Sequence, residues 1–247
     1  MRKNYKNGLL LSETALFLAF VMLVFCFTPN DNAIYASSDV IYPSIIILDA
    51  GHGGEDAGTV GVSGVYEKDL NLEIAEKLGE YFSNAGFGVV FTRRDDKLLY
   101  TEEENIKGYR KIYDLKNRVK ISNSYSDAIF ISIHMNWFSD SRYSGLQVWC
   151  AEGKASRFLA ESVTSEVKSR LQPSNRREVK VADGKLFLLS RAPGCAILVE
   201  CGFLSNQKEC EMLSREDYRR ELSFAIFCGI MRYLKENQGE SPLPESE

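Results

Sequence analysis

Short apolar runs alternate along the chain with segments whose apolar residues recur every three or four positions. Leu70, Ile74, Leu78 and Phe82 have the spacing of one helix face, whereas the run 44–48 is continuous and rich in β-branched residues, as in a buried strand. Strands that alternate with helices favour one α/β domain, with a twisted, mainly parallel or mixed β-sheet flanked by helices on both faces. The predicted strands are 44–48, 87–92, 128–133, 145–150, 185–189 and 196–201, and the predicted helices are 70–85, 115–125, 156–171 and 215–234.

The two ends of the chain depart from this alternation. Arg2, Lys3 and Lys6 precede an unbroken apolar run from Ala15 to Phe27. This run is shorter than the roughly 20 residues of a membrane span and is typical of an export signal or a short N-terminal anchor. We therefore expect an exported protein, secreted or membrane-anchored, that touches the membrane only through this segment. The predicted organisation is a signal peptide or anchor at 1–28, a linker at 29–42, one folded domain at 43–236 and a disordered acidic tail at 237–247.

Charge and cysteine content narrow the class of protein. The net charge of the 247 residues is -4, which argues against binding to a nucleic-acid backbone.

The charge-rich segment 97–109 is expected to be a loop insertion between a strand and a helix. Six cysteines occur and Cys26 lies in the predicted signal, so an odd number remains, and we expect buried free thiols.

The chain has only two histidines, His52 and His134, and each follows a predicted buried strand. A histidine beside a strand is often merely structural, but strand ends converge on one crevice, so both imidazoles can reach one ion. Catalytic zinc sites combine imidazole and carboxylate ligands and keep one position open for water. The pattern therefore predicts a zinc site with a carboxylate as third ligand, and spacing alone leaves Glu55, Asp56 and Glu67 open.

Glu200 stands in the middle of the apolar run 197–204. Burial of a carboxylate costs several kcal/mol unless it is paired. One explanation is a salt bridge to an arginine or lysine elsewhere, and the other is a general base beside the metal, with a pKa raised by its surroundings. Neither a Gly-x-Ser-x-Gly elbow nor a third histidine is present, which favours metal-assisted amide hydrolysis.

Four segments, in order and with suitable spacing, resemble the zinc-dependent N-acetylmuramoyl-L-alanine amidases over about residues 43–235. Each segment alone would be a weak signal, but four in order are highly specific. They are Leu48-Asp49-Ala50-Gly51-His52-Gly53-Gly54-Glu55-Asp56-Ala57-Gly58 with Glu67 and Leu70-Asn71-Leu72; Thr92-Arg93 with Asp95 or Asp96, then Leu115 and Arg118; Ser132-Ile133-His134-Met135-Asn136; and Val199-Glu200-Cys201-Gly202-Phe203-Leu204-Ser205-Asn206.

The resemblance implies that His52, Glu67 and His134 bind Zn²⁺ and that Glu200 is the catalytic glutamate. It also implies cleavage of the amide between N-acetylmuramic acid and L-alanine in peptidoglycan. The chain is most similar to the spore-cortex subgroup. That likeness implies a part in muramic-δ-lactam formation, and the forespore intermembrane space is among the expected locations. An activating lipoprotein partner is a separate expectation.

Four polar residues are candidate substrate contacts: Arg93, Asn136, Arg176 and Arg177. The two adjacent arginines, with Lys180, could contact carboxylates of the peptide stem, although a solvated face is an equally good interpretation. Two alternative functions stay open at this stage. One is a zinc peptidase that trims stem peptides, and the other is an amidase that is inactive without a partner protein.

Overall fold

The computed structural model describes residues 45–184 and 186–237, so the predicted signal and linker and nearly all of the predicted tail lie outside it. None of the described helices is long and apolar enough to cross a membrane. The strands are β1 Ile45–Ala50, β2 Gly88–Phe91, β3 Ile129–Asn136, β4 Gln147–Cys150, β5 Lys180–Val181 and β6 Ala196–Phe203. The helices are α1 Glu67–Asn84, α2 Arg110–Asn123, α3 Lys154–Arg170, α4 Gln207–Leu213 and α5 Glu216–Glu236.

The strands form one mixed sheet in the order β2-β1-β3-β6-β4-β5. The first four strands in that order run parallel to one another. Strand β4 is antiparallel to β6, and β5 is parallel to β4. The carboxyl ends of β1, β3 and β6 therefore meet at one edge of the sheet, where ligands bind in open α/β sheets.

Both faces of the sheet are covered, as the sequence predicted. Alternate strand residues such as Leu48 and Ile131 pack under α1, α3 and α5 in the larger core. The residues between them, such as Ile47 and Phe130, pack with the Leu115 side of α2 in the smaller core. Because side chains alternate across a strand, each strand contributes to both cores, which explains the nearly continuous apolar runs.

One predicted strand is wrong. The described part of 185–189 forms turns, with Ser190 N–H donating to the Leu186 carbonyl at 3.0 Å and Ala192 N–H donating to Leu188 at 2.8 Å. Leu188 and Leu189 are nevertheless buried in the smaller core. Their apolar pattern therefore indicates burial, and it does not indicate an extended backbone. The strand of this region is the short β5, and the described chain adds the unpredicted helix α4 after β6.

The cysteine prediction is confirmed for the described residues. All five described cysteines are free, and four of them are buried: Cys150, Cys195, Cys201 and Cys210. Burial raises the pKa of the Cys195 thiol to about 12, so this thiol stays protonated and packs as a small apolar group.

Candidate metal centre

Strand alternation brings polar side chains to one face at the carboxyl edge of the sheet. Asp49 of β1 lies beside Ser132 of β3, and His134, two residues further along β3, lies directly beside Glu200 of β6. His52 follows the end of β1, and Glu67 is the first residue of α1. The order of elements thus assembles residues that are far apart in sequence.

Three donor side chains converge at this edge. His52 Nε2 lies 3.1 Å from Glu67 Oε1, and His134 Nδ1 lies 3.0 Å from the same oxygen. One donor atom from each residue falls within 4.8 Å of the other two. The two imidazole rings are 4.9 Å apart and nearly perpendicular.

Glu67 is held as a charged group. The backbone N–H of Met135 donates to its Oε1 at 3.0 Å, and that of Thr59 donates to its Oε2 at 2.8 Å. Burial alone would raise the pKa of this carboxyl, but its hydrogen bonds to His134 and His52 hold the pKa far below its usual range.

His52 is fixed in an uncommon backbone conformation, with φ at 61°. The Arg118 guanidinium donates to the His52 carbonyl at 2.7 Å, and the ring Nδ1 lies 2.9 Å from Asp56 Oδ2. Burial would lower the pKa of His52, but hydrogen bonds to Asp56 and Glu67 raise it to about 9. Asp56 therefore orients the His52 ring from the side opposite Glu67.

Glu55, the third carboxylate that spacing left open, lies at the surface, where its side chain pairs with Arg110 at 3.0 Å.

Two glycines leave room for this packing. A Cβ at Gly51 would lie 2.2 Å from the His134 ring. A Cβ at Gly58, whose φ is +66°, would meet both Glu67 Oε2 at 2.7 Å and His52 Cδ2 at 2.8 Å. The backbone must therefore approach the donor side chains more closely than any larger residue allows.

A buried ionic network supports the turn that carries His52. Arg118, 1% exposed, donates to Asp49 Oδ1 at 2.6 Å and to Asp114 Oδ2 at 2.8 Å. Burial would raise the pKa of Asp49, but the Arg118 charge and hydrogen bonds from Ser132 and Thr92 lower it. This network keeps charged residues under the turn without leaving an unpaired buried charge.

Glu200 differs from the other acidic groups of the site. Its Oε2 is buried and accepts no hydrogen bond from any residue that the structure describes. Burial raises the pKa of Glu200 well above its usual value, the charge of Glu67 raises it further, and His52 opposes the rise. The salt bridge considered from the sequence is not among the ion pairs of the described residues. A carboxyl with an unpaired buried oxygen beside the donor cluster has the chemistry of a proton acceptor.

The donor set suits a small divalent cation. A tetrahedral zinc ion with bonds of about 2.0–2.2 Å holds its ligand atoms about 3.4 Å apart. The separations of 3.1 and 3.0 Å between the imidazole nitrogens and Glu67 Oε1 are close to that spacing. Two imidazoles and one carboxylate, with a fourth side next to Glu200, match the ligand pattern of a catalytic zinc site.

The four candidate substrate residues occupy different positions. Arg93 is 2% exposed and donates to the backbone carbonyls of Ala50, Gly51, Lys68 and Asp95, so it supports the β1 turn. A contact between Arg93 and the substrate stays a prediction.

The other three candidates are more accessible. Asn136 is half-buried at the end of β3, and its Oδ1 accepts from the N–H of Trp137 at 2.8 Å. Arg176 is exposed and Arg177 is half-buried, both beyond β4.

Sequence reasoning missed several residues that shape the site. Asp56 was weighed as a metal ligand and not as the partner of the far imidazole nitrogen. Asn71, whose side chain donates to the Gly51 carbonyl at 3.1 Å, and Asp114 gave no signal of their own. A polar residue at the end of an apolar strand, as at Asp49, is a sequence clue to the buried network.

Comparison with known proteins gives concordant results. Residues 46–232 match the N-acetylmuramoyl-L-alanine amidase family. The germination-specific N-acetylmuramoyl-L-alanine amidase of Bacillus subtilis is 32% identical over 231 residues, which cover 91% of this chain and 95% of that protein.

Solved structures are similar as well. The CwlD amidase of Clostridioides difficile, in complex with the GerS lipoprotein, is 42% identical with a TM-score of 0.74, covering 78% of this chain and 99% of that one. The catalytic domain of CwlV from Bacillus (Paenibacillus) polymyxa var. colistinus is 30% identical with a TM-score of 0.64, covering 78% of this chain and 98% of that one.

Proposed function

The chain belongs to the N-acetylmuramoyl-L-alanine amidase family, and from this premise we propose that it hydrolyses its substrate with a zinc ion held by His52, Glu67 and His134 and with Glu200 as general base. The activity is cleavage of the amide between N-acetylmuramic acid and L-alanine in peptidoglycan. The observation that carries the proposal is the convergence of three donor side chains beside an unpaired, buried carboxyl oxygen. The proposed catalytic unit is the domain 43–236.

Zinc, when bound, lowers the pKa of a water molecule to about 7 and polarises the scissile carbonyl. The chain's own residues supply the rest. Asp56 and the Arg118 network fix the His52 ring, and Thr59 and Met135 fix the Glu67 carboxylate. These contacts keep the donor atoms in place before any ion arrives, which reduces the ordering needed on binding.

Glu200 moves the proton in this proposal. Its raised pKa lets Oε2 accept a proton from the attacking water and release it again. The proton then passes to the leaving nitrogen of L-alanine, so the amine departs neutral. The direct register of Glu200 with His134 keeps this carboxyl on the same face as the donor cluster.

Two measurements on one purified sample test the reaction. Metal analysis is expected to find about one zinc per chain, as a three-ligand catalytic site requires. Mass spectrometry of digested peptidoglycan is expected to show intact stem peptides released from muramic acid. Trimming within the stem would instead establish the zinc peptidase. His134→Ala is expected to lose the metal, and unchanged metal affinity would remove His134 from the ligand set.

We further propose a role in the spore cortex, where the amidase would prepare muramic-δ-lactam. Action on peptidoglycan takes place outside the cytoplasm, and in this proposal it takes place between the forespore membranes. The support is the germination-specific relative, of which the chain covers 95%. Expression in a Bacillus subtilis strain that lacks this relative is expected to restore muramic-δ-lactam. Cortex without the lactam, despite active enzyme, would limit the function to general wall hydrolysis.

We also propose, from likeness to a related protein, that a lipoprotein partner activates this amidase. The similar Clostridioides difficile amidase was solved in complex with a lipoprotein. Activity of the purified chain is therefore expected to rise when a membrane lipoprotein of the same source is added. Full activity without any addition would show that the chain is self-sufficient.

A further inference from the structure

A cavity lies outside the metal centre, between α3 and the segment 173–179. Its volume is about 680 Å³. Arg157, Glu161, Thr164 and Lys168 line one wall, and their spacing places them on a single face of α3. We call this cavity the α3 groove.

The α3 groove is predominantly cationic. The acidic Glu161 lies 3.8 Å from Arg157, a loose contact between two half-exposed side chains that contributes little free energy. The segment 173–179 adds two arginines and one glutamate on the opposite wall. Its charged lining residues are the cations Arg157, Lys168, Arg176 and Arg177 and the acids Glu161 and Glu178.

The upper end of the groove is the end where Lys168 meets the backbone of Arg177. Hydrogen bonds hold this end in place, and it lies next to the carboxyl edge of the sheet. Lys168 Nζ donates to the Arg177 carbonyl at 2.5 Å and so joins the two walls. Arg177 Nε donates to the Ser144 carbonyl at 2.8 Å, and its guanidinium lies 4.4 Å from the Phe203 ring centre and 5.3 Å from that of Tyr143. Phe203 is the last residue of β6, the strand that carries Glu200.

The sheet sets the distance from Glu200 to the groove. Gln147 of β4 lies directly beside Glu200, and its side chain donates to the Glu178 carbonyl at 2.5 Å. Two strand spacings therefore separate the backbone of Glu200 from that of Glu178, or about 10 Å. Three residues of extended peptide span a similar length, about 10–11 Å.

We propose that the α3 groove binds the free carboxylates of the peptidoglycan stem peptide beyond its first alanine, with Arg176 and Lys168 as the principal cations. The inference rests on the proposed amidase function and deepens it, because it assigns the groove to the acidic part of the same substrate. When the scissile amide lies at Glu200, the second and third stem residues reach the upper end of the groove. Carboxylates there meet an excess of cationic donors, which favours charge-assisted hydrogen bonds.

A matched pair of substrates tests the inference. One is a soluble glycan strand with free stem carboxylates, and the other is the same material after chemical conversion of those carboxylates to amides. The wild-type enzyme is expected to have a higher kcat/KM for the acidic form. In Arg176→Gln and Lys168→Gln the ratio of the two values is expected to fall about three- to tenfold, through KM and not kcat, as expected for a solvent-accessible charge pair.

Arg142→Gln is the matched control, since Arg142 is 89% exposed and pairs with Asp140 outside the groove. This variant is expected to keep the wild-type ratio, and thermal melting checks that all variants fold. An unchanged ratio in both groove variants, or an equal loss on both substrates, would overturn the inference. If the wild-type enzyme released no stem peptide from either substrate, the proposed function itself would fail.

Discussion

The first turn of α1 and the strand β6 each present a glutamate to the same edge of the sheet, and the two glutamates have opposite surroundings. Glu67 receives two backbone N–H groups and lies within hydrogen-bond distance of both histidines. Glu200, beside His134 in the sheet, has a buried oxygen that accepts nothing from the described residues. Their pKa values move apart, lowered for Glu67 and raised for Glu200.

This comparison shows how one residue type can have opposite surroundings at the same edge of a sheet. A carboxylate surrounded by donors stays charged and suits a cation, whereas a carboxylate without donors holds a proton readily. Titratable groups whose surroundings push their pKa values apart often mark the acid and base of an active site. Each prediction below alters one side of the comparison.

The largest effect is expected for Glu67→Gln. Loss of this charge removes the anionic member of the donor cluster, so metal affinity should fall more than about 100-fold, beyond the effect of an outer-shell partner. Metal content after dialysis and hydrolysis of peptidoglycan are the measurements. Glu76→Gln, on an exposed turn of the same helix, is the control. If Glu67→Gln retained the metal, Glu67 would not be needed for metal binding and would not differ from Glu200 in this respect.

Glu200→Gln is expected to lower kcat by a factor of about 10²–10⁴, the range for general acid–base catalysis. Metal content should stay near the wild-type value, because the change leaves the donor cluster intact. Steady-state kinetics and metal analysis on the same preparation separate the two effects. Loss of metal together with activity would place Glu200 among the ligands, and undiminished hydrolysis would remove it from the mechanism.

Asp56→Asn tests how far Asp56 holds the His52 ring in place for metal binding. It replaces the charged partner of His52 Nδ1 with a neutral one, so metal affinity should fall about 10–100-fold. A metal-competition titration measures this change. Glu55→Gln, one residue away and exposed, should leave the affinity unaltered. Equal effects of the two variants would show that Asp56 acts only through local charge.

The smallest effect concerns acid stability. The pKa of Asp49 is lower in the folded protein than its ordinary value of 3.8, so its contribution to stability is present above that pH and is lost as the pH falls below it. Urea unfolding of the metal-free protein between pH 6 and pH 2 measures the loss. Asp49→Asn should unfold at lower urea but show a shallower pH dependence than the wild type. An identical slope would mean that other carboxyls account for the acid loss.

Much of the fold followed from periodicity. Helical spacing at Leu70, Ile74 and Leu78 predicted α1 closely, because burial of one face fixes the repeat. The turns at 186–189 were mistaken for a strand because a short buried apolar run has the same appearance in either conformation.

The sequence by itself determined the chemical types available at the site. It contained two histidines after apolar strands and a glutamate within another, which was enough to predict zinc and a general base. It could not choose among Glu55, Asp56 and Glu67 by spacing, since sequence distance does not state which way a turn folds.

Only the tertiary structure decided which of these groups lie together and what surrounds each of them. The return of α1 over the sheet brings Glu67 between the two histidines, while the tight turn after β1 places Asp56 on the far side of His52. Burial of Arg93 under that turn could not be predicted either, because a sequence does not distinguish a solvated arginine from a buried one. The physical reason is that pKa and ligand geometry depend on neighbours in space, and those neighbours come from distant parts of the chain.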